Sequence, residues 1–273
     1  MSTSAAPGGS SWPAFFDQVA ESYDQSGVPF FSTIAEGLTA ELAPRPGERF
    51  LDVGSGRGAL TIPVAEAVGP DGTVDALDAA PSMVRLLADE LARRGLPQAR
   101  VAVGDASDPH PPSPPYDGIG SSLVLFFLHD PVAALTAWKP LVRPGGRVGV
   151  STFPVPEGRF GELVEMVTEF AGPAPSPRGG SPFDSDEGVA SLFRDAGWSD
   201  VRTVSTSYPI PFEDVGQYRA WSMAGALRRV WTDTDPARHP EILERVRPVL
   251  ERERDDQGRM TLDVGIRFTL AHA

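Results

Sequence analysis

Phe50-Leu51-Asp52-Val53-Gly54-Ser55-Gly56-Arg57-Gly58-Ala59-Leu60 joins an apolar strand, an acidic residue, a glycine-rich turn and a helix start. An extended segment ending near Asp52 has to turn sharply into a helix. Glycine permits the positive φ angles and the close ligand approach that such a turn demands. A helix N-terminus with bare backbone favours a negative group, so phosphate is the first ligand to weigh, and Gly54, Gly56 and Ala59 fit the G-x-G-x-x-G/A dinucleotide pattern. Asp52 argues otherwise. Its carboxylate, two residues before the first glycine, would repel a pyrophosphate and suits a cationic or hydroxyl-bearing ligand.

Around this stretch the hydrophobic pattern alternates between strand and helix. Strands are predicted over 49–53, 73–77, 100–103, 118–122, 147–152 and 201–205, with a last one in the alternating run Val264 to Leu270. Helices are predicted over 59–68, 82–94, 131–141 and 186–196. Such βαβ alternation implies a doubly wound, mostly parallel seven-stranded sheet with helices on both faces. Two helices, 12–23 and 32–42, precede the first strand, and helical segments at 213–230 and 240–254 separate the last two. The Pro/Gly-rich stretches 109–115, 143–146 and 172–182 read as loops or turns. The expected organisation is a disordered tail at 1–11, an N-terminal helical lid at 12–45, a core at 46–207, a helical cap at 208–259 and a final core strand at 260–273.

Composition narrows the partner. With 273 residues and 41% hydrophobic content the chain supports a large α/β core. Lys and Arg total 24 against 37 Asp and Glu, and the resulting net charge of −13 disfavours nucleic acid or an anionic membrane. A small-molecule partner is expected. The absence of cysteine removes disulfides and thiolate metal ligands, and no metal site is expected. Residues 1–10 lack a basic and an apolar signal region, and no apolar run is long enough for a membrane helix, so a cytoplasmic monomer or homodimer is expected.

Together, Leu51 to Gly58, Val74-Asp75-Ala76-Leu77-Asp78-Ala79-Ala80-Pro81-Ser82-Met83, Val103-Gly104-Asp105-Ala106, Tyr116 to Leu123 and Leu141 to Val148 form an ordered series. That series resembles the class I S-adenosylmethionine-dependent methyltransferases, in particular the small-molecule group with the ubiquinone/menaquinone-type enzymes. The resemblance covers about residues 12 to 273. It implies a Rossmann-like fold and a cofactor site at Asp52, Gly54, Ser55, Gly56, Asp78, Ala79, Met83, Asp105, Ala106 and Ser122. Asp78 would accept the ribose hydroxyls, and Asp105 would lie beside the adenine amino group. Asp78 follows Gly54 by 24 residues, near the roughly 20-residue offset of the ribose-binding acid in dinucleotide folds. Phe16 to Asp24 resembles the family's lid, in which Tyr23 closes over the cofactor; Tyr23 as an ordinary core aromatic is the alternative.

The acceptor side departs from the family. Where many relatives carry a His-His pair before Asp-Pro, this chain has Phe126 and Phe127 in Leu125-Phe126-Phe127-Leu128-His129-Asp130-Pro131. The obvious general base is gone. His129 is a candidate base or simply a residue at the helix entry formed by Asp130 and Pro131. Glu162 and Tyr218 are further candidates, although Glu162, Glu165 and Glu169 also read as a solvated helix face. Phe126, Phe127, Phe153, Tyr218 and Trp221 either line an apolar acceptor pocket or join cap to core. Arg219, Arg228 and Arg229 either hold an acidic acceptor group or are exposed helix arginines.

The expected reaction is methyl transfer from S-adenosylmethionine to oxygen or carbon of a small, largely apolar metabolite of secondary metabolism. Two other classes stay open at this stage. One is a cyclase, isomerase or binding protein on the same scaffold; the other is an NAD(P)-dependent oxidoreductase, which Gly54, Gly56 and Ala59 permit.

Overall fold

The computed structural model describes residues 11–171, 180–223 and 227–273. Its centre is a seven-stranded sheet of β1 (Arg49–Val53), β2 (Thr73–Asp78), β3 (Ala99–Val103), β4 (Tyr116–Ser122), β5 (Val142–Thr152), β6 (Ser199–Phe212) and β7 (Met260–His272), in the order β3-β2-β1-β4-β5-β7-β6. The first five strands run parallel, and β7 pairs antiparallel with both β5 and β6. From β1 the chain winds out to β3 and then returns to β4 on β1's other side. Strand order reverses there, and the crevice beyond the carboxyl ends of β1 and β4 is where such sheets take ligands.

One face of the sheet is covered by α2 (Phe30–Leu42), α3 (Thr61–Val68) and α4 (Pro81–Arg94), which bury Ile34, Leu38, Leu42, Val64, Leu87 and Leu91. The other face carries α5 (Pro131–Trp138) and α7 (Asp186–Asp195), with Leu135, Trp138, Val189 and Phe193 packed on Leu51, Val53, Ile119, Val148 and Val150. α1 (Trp12–Val19) lies apart from both, near the start of α4. The remaining helices are α6 (Gly158–Ala171), α8 (Val215–Met223), α9 (Arg228–Asp233) and α10 (His239–Leu250). α6 packs on α9 and α10, so the helical layer beyond the sheet draws on two separate stretches of chain.

Several boundaries differ from expectation for identifiable reasons. The first helix stops at Val19, and Tyr23 falls in the following turn, where Asp24 adopts φ +57°. α5 ends at Trp138 because Pro140 cannot continue its hydrogen bonding. β5 begins at Val142 and absorbs the expected turn 143–146, with a register shift against β4 between Tyr116 and Gly118. β6 runs on to Phe212, well past the expected end at 205 and into the segment assigned to the cap. It carries Pro209 and Pro211, which an edge strand tolerates where a central one does not. α6 was visible only as its row of glutamates; its inward residues are Leu163 and Val167. The expected tail lies outside the described residues except for Ser11, which caps α1 through its side chain, as does the expected loop 172–182 except for 180–182.

Glycine on the central strands lets large neighbours lie flat against the backbone. Gly118 pairs with Phe50, and a Cβ there would stand 2.4 Å from the Phe50 ring, which also carries the Arg147 guanidinium 4.9 Å from its centroid. A stiff, buried ring that also packs against this guanidinium has little room to retreat. Gly118→Ala is therefore expected to cost about 1–3 kcal/mol of stability and to lower the melting temperature by several degrees in a calorimetric scan.

Candidate active site

The turn after β1 is built by internal hydrogen bonds. The N–H groups of Gly54 and Ser55 both donate to the Leu77 carbonyl, at 2.8 and 2.9 Å, tying the exit of β1 to the end of β2. Gly56 donates to Asp78 Oδ2 at 2.7 Å, and Ala80 donates to Asp78 Oδ1 at 2.9 Å. Gly58 donates to the Ser55 carbonyl. These amides are committed within the protein, so the turn does not present the row of free donors that a pyrophosphate needs. Gly54 has φ +77°, and a Cβ on it would meet Val124 at 2.4 Å; a Cβ on Gly56 would meet nothing within 4 Å. Gly54 is glycine for packing, and Gly56 borders open space.

That space is a cavity of about 260 Å³ at the carboxyl ends of β1, β2 and β4. It brings together Tyr23, Gly54, Gly56, Asp78, Ala79, Met83, Asp105, Ala106, Ser122, Phe127 and His129. Asp78 stands at its inner wall; burial raises its carboxyl above the usual range, against the two backbone donors that hold it charged. Asp105 is exposed at the rim and accepts from the Ser107 N–H at 2.8 Å. Ser122 ends β4 with its hydroxyl 3.0 Å from that of Ser151, and Leu123 then takes φ +59°, which turns the chain around the cavity.

A second cavity of about 600 Å³ shares Tyr23, Gly54, Gly56 and Ser122 with the first and adds Asp52 and Ser55. Asp52 is 2% exposed. Its Oδ2 accepts from the Thr61 hydroxyl at 2.5 Å, while its Oδ1 and the Ser55 hydroxyl are buried without a hydrogen-bond partner among the described residues. Burial pushes the Asp52 carboxyl up to about 7; Thr61 opposes the rise and the nearby Asp78 charge adds to it. An orphaned buried carboxylate oxygen beside a cavity fits a cationic ligand that completes its hydrogen bonding.

α1 roofs the first cavity. Trp12 and Phe16 lie over the Phe127 ring, at centroid distances of 4.5 and 5.4 Å. Tyr23 stacks on Phe31 at 4.8 Å, and burial drives its hydroxyl far above the normal tyrosine range, which keeps it neutral. Polar ties fasten this roof: Asp17 accepts from the Ser82 N–H at 2.7 Å, Glu21 pairs with Arg85, and Arg57 reaches the carbonyls that end α1. Trp12 and Phe16 were missed as lining residues because, in sequence, they read only as the apolar stripe of a helix; Gly104, Ser107 and Leu128 line the cavity through local chain path alone.

The remaining candidates separate. Phe127, Phe126, Phe153, Phe30 and Trp221 form a continuous row of rings, with successive centroids 4.6, 5.9, 6.2 and 5.2 Å apart. Phe183 meets Phe126 edge-on from a segment held by buried Arg267, which donates to the Phe183 carbonyl and to Asp186. Tyr218 sits at the far end, fully buried against Phe212 and Trp221; burial keeps its hydroxyl protonated, so it is no acid–base group for the cavity. Glu162 is also displaced: it lies on the outer surface of α6 and accepts two hydrogen bonds from Arg252, at 2.5 and 2.8 Å. His129 is exposed at the cavity mouth, beside Asp130, which caps α5. Arg229 pairs with Asp233, Arg219 lies over Trp231 and Arg228 over Phe15. Among the described residues, no group of three His, Asp or Glu could hold a metal ion, and no helix is long and apolar enough to cross a membrane.

Asp52 gives a pH test with a definite sign. A cation beside it favours the ionised carboxylate, so affinity should rise with pH through about 7 and level off above, by no more than about tenfold per unit. Calorimetry with S-adenosylmethionine between about pH 6 and 8 should show this rise, and Asp52→Asn should flatten it and weaken binding about tenfold. A folded pKa above the unfolded value means that ionising Asp52 destabilises the ligand-free fold from about pH 4 upward. The same variant is therefore expected to melt higher than wild type at pH 8 without ligand.

Comparisons with known proteins identify the family. A family model described as a methyltransferase domain matches residues 50–146. The nocamycin O-methyltransferase of Saccharothrix syringae is 36% identical over 242 residues, covering 83% of this chain and 86% of that protein. The aklanonic acid methyltransferase DauC of Streptomyces sp. (strain C5) is 37% identical over 155 residues, 57% of this chain and 69% of its own. Among solved structures, the Haemonchus contortus phosphoethanolamine N-methyltransferase 2 in complex with S-adenosylmethionine superposes with a TM-score of 0.60 at 15% identity, covering 97% of this chain and 60% of that one, a likeness of fold. The chain belongs to the class I S-adenosylmethionine-dependent methyltransferases, with S-adenosylmethionine as its cofactor.

Proposed function

We propose that the protein methylates an acidic oxygen, carboxylic or enolic, on a planar, largely apolar metabolite of secondary metabolism. The observation that carries this reading is the aromatic surface, Phe127 and Phe126 leading to Phe153, at the position where the family resemblance implies a histidine pair in many members. An aromatic surface gives a flat acceptor area to stack on and offers it no proton acceptor. The bound cofactor supplies a methyl group on a positively charged sulfur, already activated for transfer. What the protein then has to provide is position and exclusion of water.

Each residue has a part in that division of labour. Asp78 and Asp105 hold the nucleoside end, and Asp52 compensates positive charge beside the glycine turn. Trp12, Phe16 and Tyr23 close the roof, which removes water from around the reacting atoms. Phe126 and Phe127 align the acceptor. An oxygen acid that arrives ionised needs no base from the protein, whereas a neutral alcohol or carbon acceptor would need one. The names of the two curated relatives, an O-methyltransferase and a methyltransferase of an acid, support the same choice.

The test is transfer of labelled methyl from S-adenosylmethionine to a panel of polycyclic aromatic acids, with their amides and alcohols as controls. Methyl esters or enol ethers should form, and the neutral controls should not react; labelling confined to neutral acceptors would overturn the proposal. His129→Ala and Glu162→Gln are expected to keep kcat within about threefold, against the 10²–10⁴-fold loss typical of a removed general base. Phe127→Ala should raise KM for the acceptor at least about tenfold, because it removes the stacking surface while leaving the donor carboxylates in place.

A further inference from the structure

Arg57 sits at the centre of the glycine turn, between Gly56 and Gly58, and lines the second cavity with Asp52 and Ser55. Its Nη1 lies 3.2, 3.3 and 3.4 Å from the carbonyl oxygens of Tyr23, Ala20 and Glu21, the last carbonyls of the roof. Among the described residues no carboxylate is within ion-pair distance of it, although the chain has 37 acidic residues. Asp24 stands near enough to feel its charge. A guanidinium has five N–H donors in a planar fork, and the contacts to the roof engage only Nη1. Among the described residues Nε and Nη2 make no hydrogen bond.

The two cavities divide the cofactor between them. Asp78 and Asp105, which suit the ribose and adenine, line the first. The amino-acid end therefore passes the glycine turn into the second, where Asp52 offers an orphaned negative oxygen and Arg57 an unpaired positive fork. That pairing of opposite charges matches a zwitterion, an ammonium beside one group and a carboxylate beside the other. We propose that Arg57 binds the α-carboxylate of the cofactor's amino-acid end while its Nη1 holds the roof, so that one side chain reports occupancy of the site to the segment that closes it. The fork geometry is what bidentate carboxylate recognition requires, and lysine at this position would reproduce the charge without the geometry.

The experiment deletes the interaction from either side. Wild-type protein, Arg57→Gln and Arg57→Lys are titrated calorimetrically with S-adenosylhomocysteine, with its decarboxylated analogue, which keeps the ammonium, and with 5′-methylthioadenosine, which lacks the whole amino-acid end. Binding of S-adenosylhomocysteine to wild type tests the cofactor assignment by itself. If Arg57 takes the carboxylate, wild type binds the decarboxylated analogue at least about tenfold more weakly than S-adenosylhomocysteine. Arg57→Gln then loses that discrimination, binds 5′-methylthioadenosine within about twofold of wild type, and Arg57→Lys falls between. Equal weakening of all three ligands in Arg57→Gln would mean that Arg57 serves only the roof, and an unchanged preference for the carboxylate would place it elsewhere; either result overturns the proposal. Should Arg57→Gln not fold, equal affinity of wild type for S-adenosylhomocysteine and its decarboxylated analogue overturns it alone.

Discussion

The two backbone hydrogen bonds accepted by Asp78 hold the site together. One oxygen takes the Gly56 N–H and the other the Ala80 N–H, so a single side chain at the end of β2 fixes the glycine turn after β1 and the start of α4. With the Leu77 carbonyl accepting from Gly54 and Ser55, the end of β2 consumes the amides that a phosphate would otherwise claim. A glycine turn that resembles a dinucleotide cradle in sequence is thereby closed to phosphate. Asp78, which helps to close it, and Asp52 beside it leave the surroundings negative, which is the right sign for a cofactor carrying a sulfonium and an ammonium group.

The cost of this arrangement falls on Asp52. A carboxylate at 2% exposure, with one oxygen unpaired and Asp78 close by, is poorly solvated and easily protonated in the ligand-free protein. A purely structural site would carry an asparagine or an apolar residue there, since nothing in the fold completes the hydrogen bonding of Oδ1. A ligand that brings the compensating charge would relieve this. In the proposed site, cofactor binding would then do two things together, filling a cavity and neutralising a buried acid.

The residues of the proposed donor half were legible in sequence as a group because they are tied to backbone events. Asp52, Asp78 and Asp105 each lie at or just beyond a strand end, and a strand end followed by glycine or proline is visible in a linear pattern. The same local logic gave β1 at its observed bounds and β2 to within one residue. Features set by tertiary position did not show. β6 keeps its prolines because it is an edge, which only the strand order reveals. Arg57 is one more residue of a glycine motif until the roof is seen to end beside it. Glu162 and Tyr218 were candidates by residue type, and one turned out to face solvent and the other to lie within the core, a distinction that helical spacing alone did not make.

The acceptor half follows a different physics. Phe127, Phe126, Phe153, Phe30 and Trp221 belong to four separate segments: the turn after β4 supplies two, and the end of β5, α2 and α8 supply one each. Rings from so many elements are held by packing rather than by directed hydrogen bonds, and packing tolerates exchange of one apolar shape for another. A change in the aromatic row can therefore remodel the acceptor surface without touching Asp78 or the glycine turn. Arg267, holding Phe183 against that row through a backbone carbonyl and Asp186, is a directed tie on that side, and it acts on the segment leading into α7. If the row is the acceptor surface, as proposed, specificity can drift along it while the turn locked by Asp78 stays fixed, so that one backbone motif can serve different acceptors.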